Sequence, residues 1–325
     1  MKVVVAIDSF KGSMTSMQAG NACKEGILAA AHAHCGSGAA AAKDRKPAAD
    51  NMKVVVKPLA DGGEGTVEAL VEGMSGTYEY VPVTGPMGNP VKARYGILPD
   101  QTVVMEMAEA SGITLVKEPL NPWKAASTGV GEMILDAVQK GCRKFIIGIG
   151  GSATTEGGIG MLSALGYDFM DENGDILPPV FASLEKVVQI ENNRVPEMLK
   201  DCHFQIACDV TNPLCGVEGC VYVFGAQKGV KEEEKESMDR AMQSYAACME
   251  KFTGKKFSEI PGTGAAGGLG FAFLWGLPNV ELKPGIDIVL EAVGLASELQ
   301  DADIVVTGEG CLDFQTAMGK VPVGV

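Results

Sequence analysis

Histidine is scarce in this chain, with only His32, His34 and His203 among 325 residues. The shortage argues against a Ser-His-Asp hydrolase and against dehydrogenases that use a catalytic histidine. Positive charge is scarce too: 27 Lys and Arg against 41 Asp and Glu leave a formal net charge of −14. Nucleic acid and anionic membrane surfaces are thereby excluded as partners, because binding them draws on clustered cations. An anionic small substrate must instead be met by a local basic or backbone-amide site. No apolar run approaches the roughly 20 residues needed to span a bilayer. A Walker A sequence is absent, as is the H-R-D loop of protein kinases, so any phosphotransferase here belongs to another lineage. The nine cysteines form no regular framework, and Cys202, Cys208, Cys215 and Cys220 lack the two-residue knuckle of a zinc site. The chain opens directly on the strand-like run Val3–Ile7, with no secretory signal ahead of it. Reduced thiols and a cytoplasmic location are the expectation.

What is present points to an α/β protein. The length suits two domains, apolar residues make up 46% of the chain, and glycine reaches 42 residues. Apolar runs at 3–7, 53–57, 102–107, 144–149 and 303–306 read as strands buried on both faces. Helical faces alternate with them: Val67, Leu70, Val71, Met74; then Val130, Met133, Ile134, Ala137, Val138; then Ile286, Val289, Leu290, Val293. Met238, Met242, Tyr245, Met249 and Phe252 predict one more core-facing helix. Strands alternating with helices imply a largely parallel sheet. Residues 29–51 are Ala-rich and read as a helix extension that becomes a loop insertion. Without further ligands, the His32/His34 pair there reads as solvated rather than metal-binding.

Two glycine-rich segments match a dinucleotide fingerprint. Gly148-Ile-Gly150-Gly-Ser-Ala153 follows a strand and has Asp168 beyond it; Gly262-Thr-Gly264-Ala-Ala-Gly267 follows no clear strand. Glycines after a strand let successive amides point into one concavity, which suits any phosphate or carboxylate. Ser152, Thr154 and Thr155 add hydroxyls. Carboxylates also recur just past strand ends: Asp8, Asp61 with Glu64, Asp209, and Glu309 with Asp313. That edge of a parallel sheet is where ligands bind. Any one of these acids reads as a helix cap; four Gly-flanked turns exceed what capping explains. Convergent carboxylates suit magnesium-assisted phosphoryl transfer, with Lys11 or Lys320 available to neutralise the transferring charge.

Taken together, ordered blocks along the sequence resemble the class I glycerate kinase family. They include Asp8-Ser-Phe-Lys11, Ala60-Asp-Gly-Gly-Glu-Gly-Thr66, Val83-Thr-Gly-Pro-Met-Gly88 and Met105-Glu-Met-Ala-Glu-Ala-Ser-Gly112. Further blocks are Ser127-Thr-Gly-Val-Gly131, Gly148-Ile-Gly-Gly-Ser-Ala-Thr154, Ala207-Cys-Asp-Val-Thr-Asn-Pro213 and Phe224-Gly-Ala-Gln-Lys-Gly229. Gly264-Ala-Ala-Gly-Gly268 and Thr307-Gly-Glu-Gly310, with Gln315-Thr316 and Gly319-Lys320, complete the set. The resemblance implies two α/β domains with the active site in the cleft between them. Composition places the boundaries near 88 and 282. Residues 1–88 plus 282–325 would form a Rossmann-like parallel-sheet domain, interrupted by an inserted α/β domain at 89–281.

The resemblance further implies a kinase using ATP and Mg²⁺. It would phosphorylate D-glycerate to 2-phosphoglycerate, with 3-phosphoglycerate left open, in the catabolism of organic acids such as glyoxylate. On that basis Asp61, Asp209, Lys11 and Asp8 are the catalytic candidates, and Asp209 with Glu309 the metal candidates. Ser9, Glu64, Gly150, Gly151, Ser152, Thr154, Gly267, Gly268, Glu309, Asp313, Gln315 and Lys320 are expected to bind substrate or phosphate. Departures from the family pattern are Ile7 in place of Pro, Thr155-Glu156 in place of Asn-Asp, and Cys311 and Phe314 in place of Arg and Ser. The family also continues past Val325, so a strand and helix of the first domain are expected to be missing, which leaves activity open. Two other readings stand beside the kinase: an NAD(P)-dependent oxidoreductase using 148–153, and a non-catalytic small-molecule-binding protein. The expected partners are D-glycerate and ATP, with no nucleic acid and no membrane; a homo-oligomer is left open.

Overall fold

The computed structural model describes residues 1–10, 12–36, 52–117, 119–311 and 320–325. Lys11, Asp313, Gln315 and most of the Ala-rich stretch lie outside the described residues. The strands, in chain order, are β1 (Lys2–Ile7), β2 (Lys53–Pro58), β3 (Thr77–Thr84), β4 (Pro90–Ile97), β5 (Thr102–Glu106), β6 (Lys144–Gly148), β7 (Asp168–Met170), β8 (Gln189–Glu191), β9 (His203–Ala207), β10 (Val280–Lys283) and β11 (Ile304–Gly308). β11, β1 and β2 form a parallel three-stranded sheet in that order. A six-stranded sheet runs β10-β9-β6-β5-β4-β3; its first four strands are parallel and the β3–β4 hairpin is antiparallel. β7 and β8 make a separate antiparallel pair.

β1 behaves as its Val-Val-Val-Ala-Ile run requires, with all six residues buried. Alternate side chains face opposite layers: Val3, Val5 and Ile7 pack under the helix Ser16–Gly36, while Val4 and Ala6 face a second cluster. That second cluster also takes Val67, Leu70 and Val71, Ile286 and Val289, and Val104, Ile146 and Ala207 from the six-stranded sheet. One apolar core therefore joins the two sheets through the helices Thr66–Gly73 and Gly285–Ala292. Each buried Val or Leu contributes about 1.5–3 kcal/mol.

The expectation of strands buried on both faces fails at both edges of the small sheet: in β2, Val55 and Val56 are only half-buried. β11 is an edge strand, and its Ile304 and Val305 are exposed rather than buried on both faces. The hairpin β3–β4 pairs from Thr77↔Ile97 to Thr84↔Pro90, so the strand just before residue 88 belongs to the six-stranded sheet. The methionine stripe forms the helix Lys235–Thr253, with Met238, Met242, Tyr245 and Met249 fully buried. Phe252 is half exposed and rests on Trp275, ring centroids 5.8 Å apart.

Candidate active site

The C-terminal ends of the parallel strands in both sheets meet at the loop after β2. Gly62 lies against Ala207 and Gly285, Gly148 against the Gly62 carbonyl, and Gly150 against Gly63. At Gly285 a Cβ would collide with the Asp61 carbonyl oxygen and Gly62 Cα. Gly285→Ala is therefore expected to cost about 1–3 kcal/mol, read as a lowered urea midpoint with unchanged slope.

Two carboxylates from the large sheet accept the first amides of the helices that join the sheets. Glu106, ending β5, accepts from Gly65 N at 3.1 Å and Val67 N at 2.9 Å. Asp209, just past β9, accepts from Gly285 N at 2.8 Å. Such a position favours an anion through the helix dipole. Asp209 reaches solvent through a cavity, yet partial desolvation raises its carboxyl above the ordinary value. The charge of Asp61 adds to that rise, while the Gly285 amide and Lys320 oppose it. Asp61 accepts from Gly63 N at 3.0 Å, and Lys320 Nζ stands 3.8 Å from its other oxygen.

Asp209 stands between two cavities. One, of about 700 Å³, is lined by Asp61, Asp209, Lys283, Pro284, Asp287 and Lys320. The other, of about 320 Å³, is lined by Gly62, Gly63, Ile113, Gly150–Ser152, Phe224, Lys228 and Ala266. Cys208, Asp209 and Val210 belong to both walls. In the smaller cavity the amides of Gly150, Gly151 and Ser152 meet no acceptor within the described residues. Ser152 Oγ instead accepts from the ammonium of Lys228 at 2.6 Å, and the Thr154 carbonyl accepts from the same group at 2.7 Å. Lys228 is fully buried, and that burial pulls its ammonium down to about 8.

Residues 3–325 match the glycerate kinase family model. The chain belongs to the glycerate kinase family. It is accordingly an enzyme, a kinase whose acceptor is an alcohol group. A glycerate kinase of Bacillus subtilis (strain 168) is 42% identical over 327 residues, covering 100% of this chain and 81% of that protein. A glycerate 2-kinase of Escherichia coli (strain K12) is 41% identical, with the same coverage. A solved structure of a glycerate kinase 2 from Salmonella typhimurium LT2 superposes with a TM-score of 0.89 at 40% identity, covering 100% of this chain and 82% of that one.

Within this glycerate kinase the expected site residues divide by location. Asp61, Asp209 and Lys320 share the larger cavity, and Gly150, Gly151 and Ser152 the smaller. Asp8 and Glu309 follow adjacent strand ends, where Asp8 N donates to Gly308 O at 2.9 Å; neither lines those two cavities. Ser9 and Glu64 open on a third cavity of about 350 Å³, with Arg94, Glu106 and Glu109. Thr154 is buried behind the cradle. Gly267 and Gly268 are buried too, with φ of 69° and 93°, and their missing side chains let the backbone close on Thr154–Gly157. Ala266, beside them at φ 52°, lines the smaller cavity in the same strained left-handed conformation.

The nicotinamide reading fails on topology. After β6 the chain forms the short helix Ile159–Ala164 and then β7, which pairs antiparallel with β8 instead of running parallel beside β6. Asp168, the acid beyond the glycine segment, starts β7 and is ion-paired with Arg194. Sequence reasoning missed Lys228, although it lies inside the quoted block 224–229. It also missed Glu156, which is fully buried beneath the cradle. Two signals marked Glu156: the departure from Asn-Asp at Thr155-Glu156, and a carboxylate between a Thr pair and a Gly pair.

Proposed function

We propose that this chain transfers the γ-phosphoryl group of ATP to the 2-hydroxyl of D-glycerate, giving 2-phosphoglycerate in cytoplasmic organic-acid catabolism. The observation that carries the reading is Asp209 in the wall common to two unequal cavities. The larger holds the nucleotide phosphates, the smaller a three-carbon acid, and transfer occurs across their seam. Family membership and a relative named glycerate 2-kinase support the substrate and the choice of hydroxyl. The absence of a helix long and apolar enough to cross a membrane, among the described residues, accords with the location.

Magnesium fits the donor chemistry. No cluster of three or more His, Cys, Asp or Glu suited to a metal occurs among the described residues. Nucleotide-bound Mg²⁺ needs only one or two carboxylates beside phosphate oxygens and waters. Asp61 lies near enough to Asp209 for its charge to be felt there, and it would hold the ion on the nucleotide side. Glu309 follows β11, two strands across the sheet edge from β2, which places it roughly 10 Å away in strand spacing and makes it the less direct ligand. When bound, Mg²⁺ neutralises charge on the transferring group. Asp209, with its raised proton affinity, takes the proton of the attacking hydroxyl. Lys320 steadies the Asp61 side.

Mg-ATP and D-glycerate should yield ADP and 2-phosphoglycerate in equal amounts, read by a coupled ADP assay and phosphorus NMR. A product phosphorylated at the 3-hydroxyl would overturn the regiochemistry. Binding of both ligands without ADP release would replace the kinase by a binding protein.

A further inference from the structure

We propose that Lys228 is the positive charge that selects the carboxylate of the acid substrate, working through Ser152 and the open amides of Gly150–Ser152. The inference rests on the proposed function and adds which group the smaller cavity reads.

Three observations converge. First, Lys228 is fully buried and forms no ion pair with a carboxylate in the described structure. A buried ammonium is expensive unless its charge is answered. After the Cys220 thiol, the acidic group whose field it feels is the Glu156 carboxyl, the only carboxyl among these influences. The Glu156 oxygens are already engaged by the amides of Ser127, Gly158 and Gly160 and by the Ser127 hydroxyl. Second, Lys228 borders the 320 Å³ cavity and donates to Ser152 Oγ, so the Ser152 hydroxyl proton is left to donate elsewhere. Third, three consecutive amides beside that hydroxyl lack acceptors. Amides, hydroxyl and ammonium together supply donors only, which is what a carboxylate requires. The size of the cavity decides between ligands. A space of about 320 Å³ suits a three-carbon acid better than a nucleotide, which has the 700 Å³ cavity beside it. Lys228 thus serves as a positioning residue, acting on the substrate through Ser152 and through its field.

The test compares calorimetric binding of D-glycerate with that of D-glyceramide, which replaces the carboxylate by a neutral amide. Wild type should prefer the acid by about 10- to 100-fold, the scale of a charge-assisted contact. Lys228→Gln and Lys228→Met should bring that preference close to one while Mg-ATP affinity changes less than about threefold. An unchanged preference, or an equal loss of ATP affinity, overturns the proposal while leaving the kinase reading standing. Failure of wild type to bind D-glycerate at all removes both. If neither Lys228 variant keeps its circular dichroism spectrum, Ser152→Ala takes their place, since it leaves the lysine in position. It should lose about 3- to 10-fold of the preference, and a preference equal to wild type overturns the proposal.

Discussion

Replacing Asp209 by Asn is expected to lower glycerate-dependent turnover by about 10²- to 10⁴-fold. The effect should fall on kcat, with the KM values for ATP and glycerate moving far less. Asn keeps the volume of Asp, and its amide oxygen can still accept the Gly285 amide that Asp209 now accepts at 2.8 Å. The helix Gly285–Ala292 therefore keeps its first contact, and stability should change by less than about 1 kcal/mol. What Asn cannot do is receive a proton at the seam between the cavities. Steady-state ADP release alongside a urea melt separates the two effects. Full turnover in the variant would remove Asp209 from proton transfer. Asp61→Asn should also slow turnover, through loss of charge on the nucleotide side. The double variant should be little worse than the poorer single, because groups that act as a unit are not additive.

Glu156→Ala is expected to cost about 3–5 kcal/mol of folding free energy, the largest stability effect anticipated for a polar residue here. The carboxylate is fully buried and accepts from Ser127 N at 2.7 Å and from Gly158 N and Gly160 N, both at 3.3 Å. The Ser127 hydroxyl donates to it as well. Removing it strands three backbone donors at the start of the helices Thr128–Gln139 and Ile159–Ala164, each worth about 1–3 kcal/mol when buried without an acceptor. Glu156→Gln keeps one accepting oxygen and should cost less.

The pH dependence of the Gln comparison has a defined sign. Burial raises the Glu156 carboxyl above its ordinary value of 4.5, against the pull of the Ser127 and Gly158 donors. With the folded value above the unfolded one, the folded state holds the proton longer. Its stabilising contribution is then complete below 4.5 and is lost as pH rises through the folded value. The stability gap between wild type and Glu156→Gln should narrow as pH rises from about 5 to about 8, measured by urea unfolding. A gap that widened over that range would show that the donors outweigh desolvation.

Much of the fold was legible because its signals are local. Continuous Val/Ile runs gave β1, β5 and β6 to within a residue or two, and 3.6-residue stripes gave the helices at 66–73, 128–139, 235–253 and 285–292. β3 escaped notice because Tyr78-Glu79-Tyr80 and Pro82 lack a clean apolar alternation. It is an edge strand, where proline and charge are tolerated. β11 looked buried because its residues are apolar, but its place at the sheet edge leaves Ile304 and Val305 exposed.

By itself, the sequence determined the parallel α/β architecture, the carboxylates at the strand ends and the glycine cradle. Each of those follows from residue types within a few positions of one another. Only the tertiary structure decided that Asp61 and Asp209 share a cavity while Asp8 and Glu309 border another part of the edge. It alone also decided that Lys228 and Glu156 are buried ionisable groups rather than surface ones. Burial and charge pairing depend on which strand ends meet across the sheets, and that is set by the packing of elements far apart in the chain.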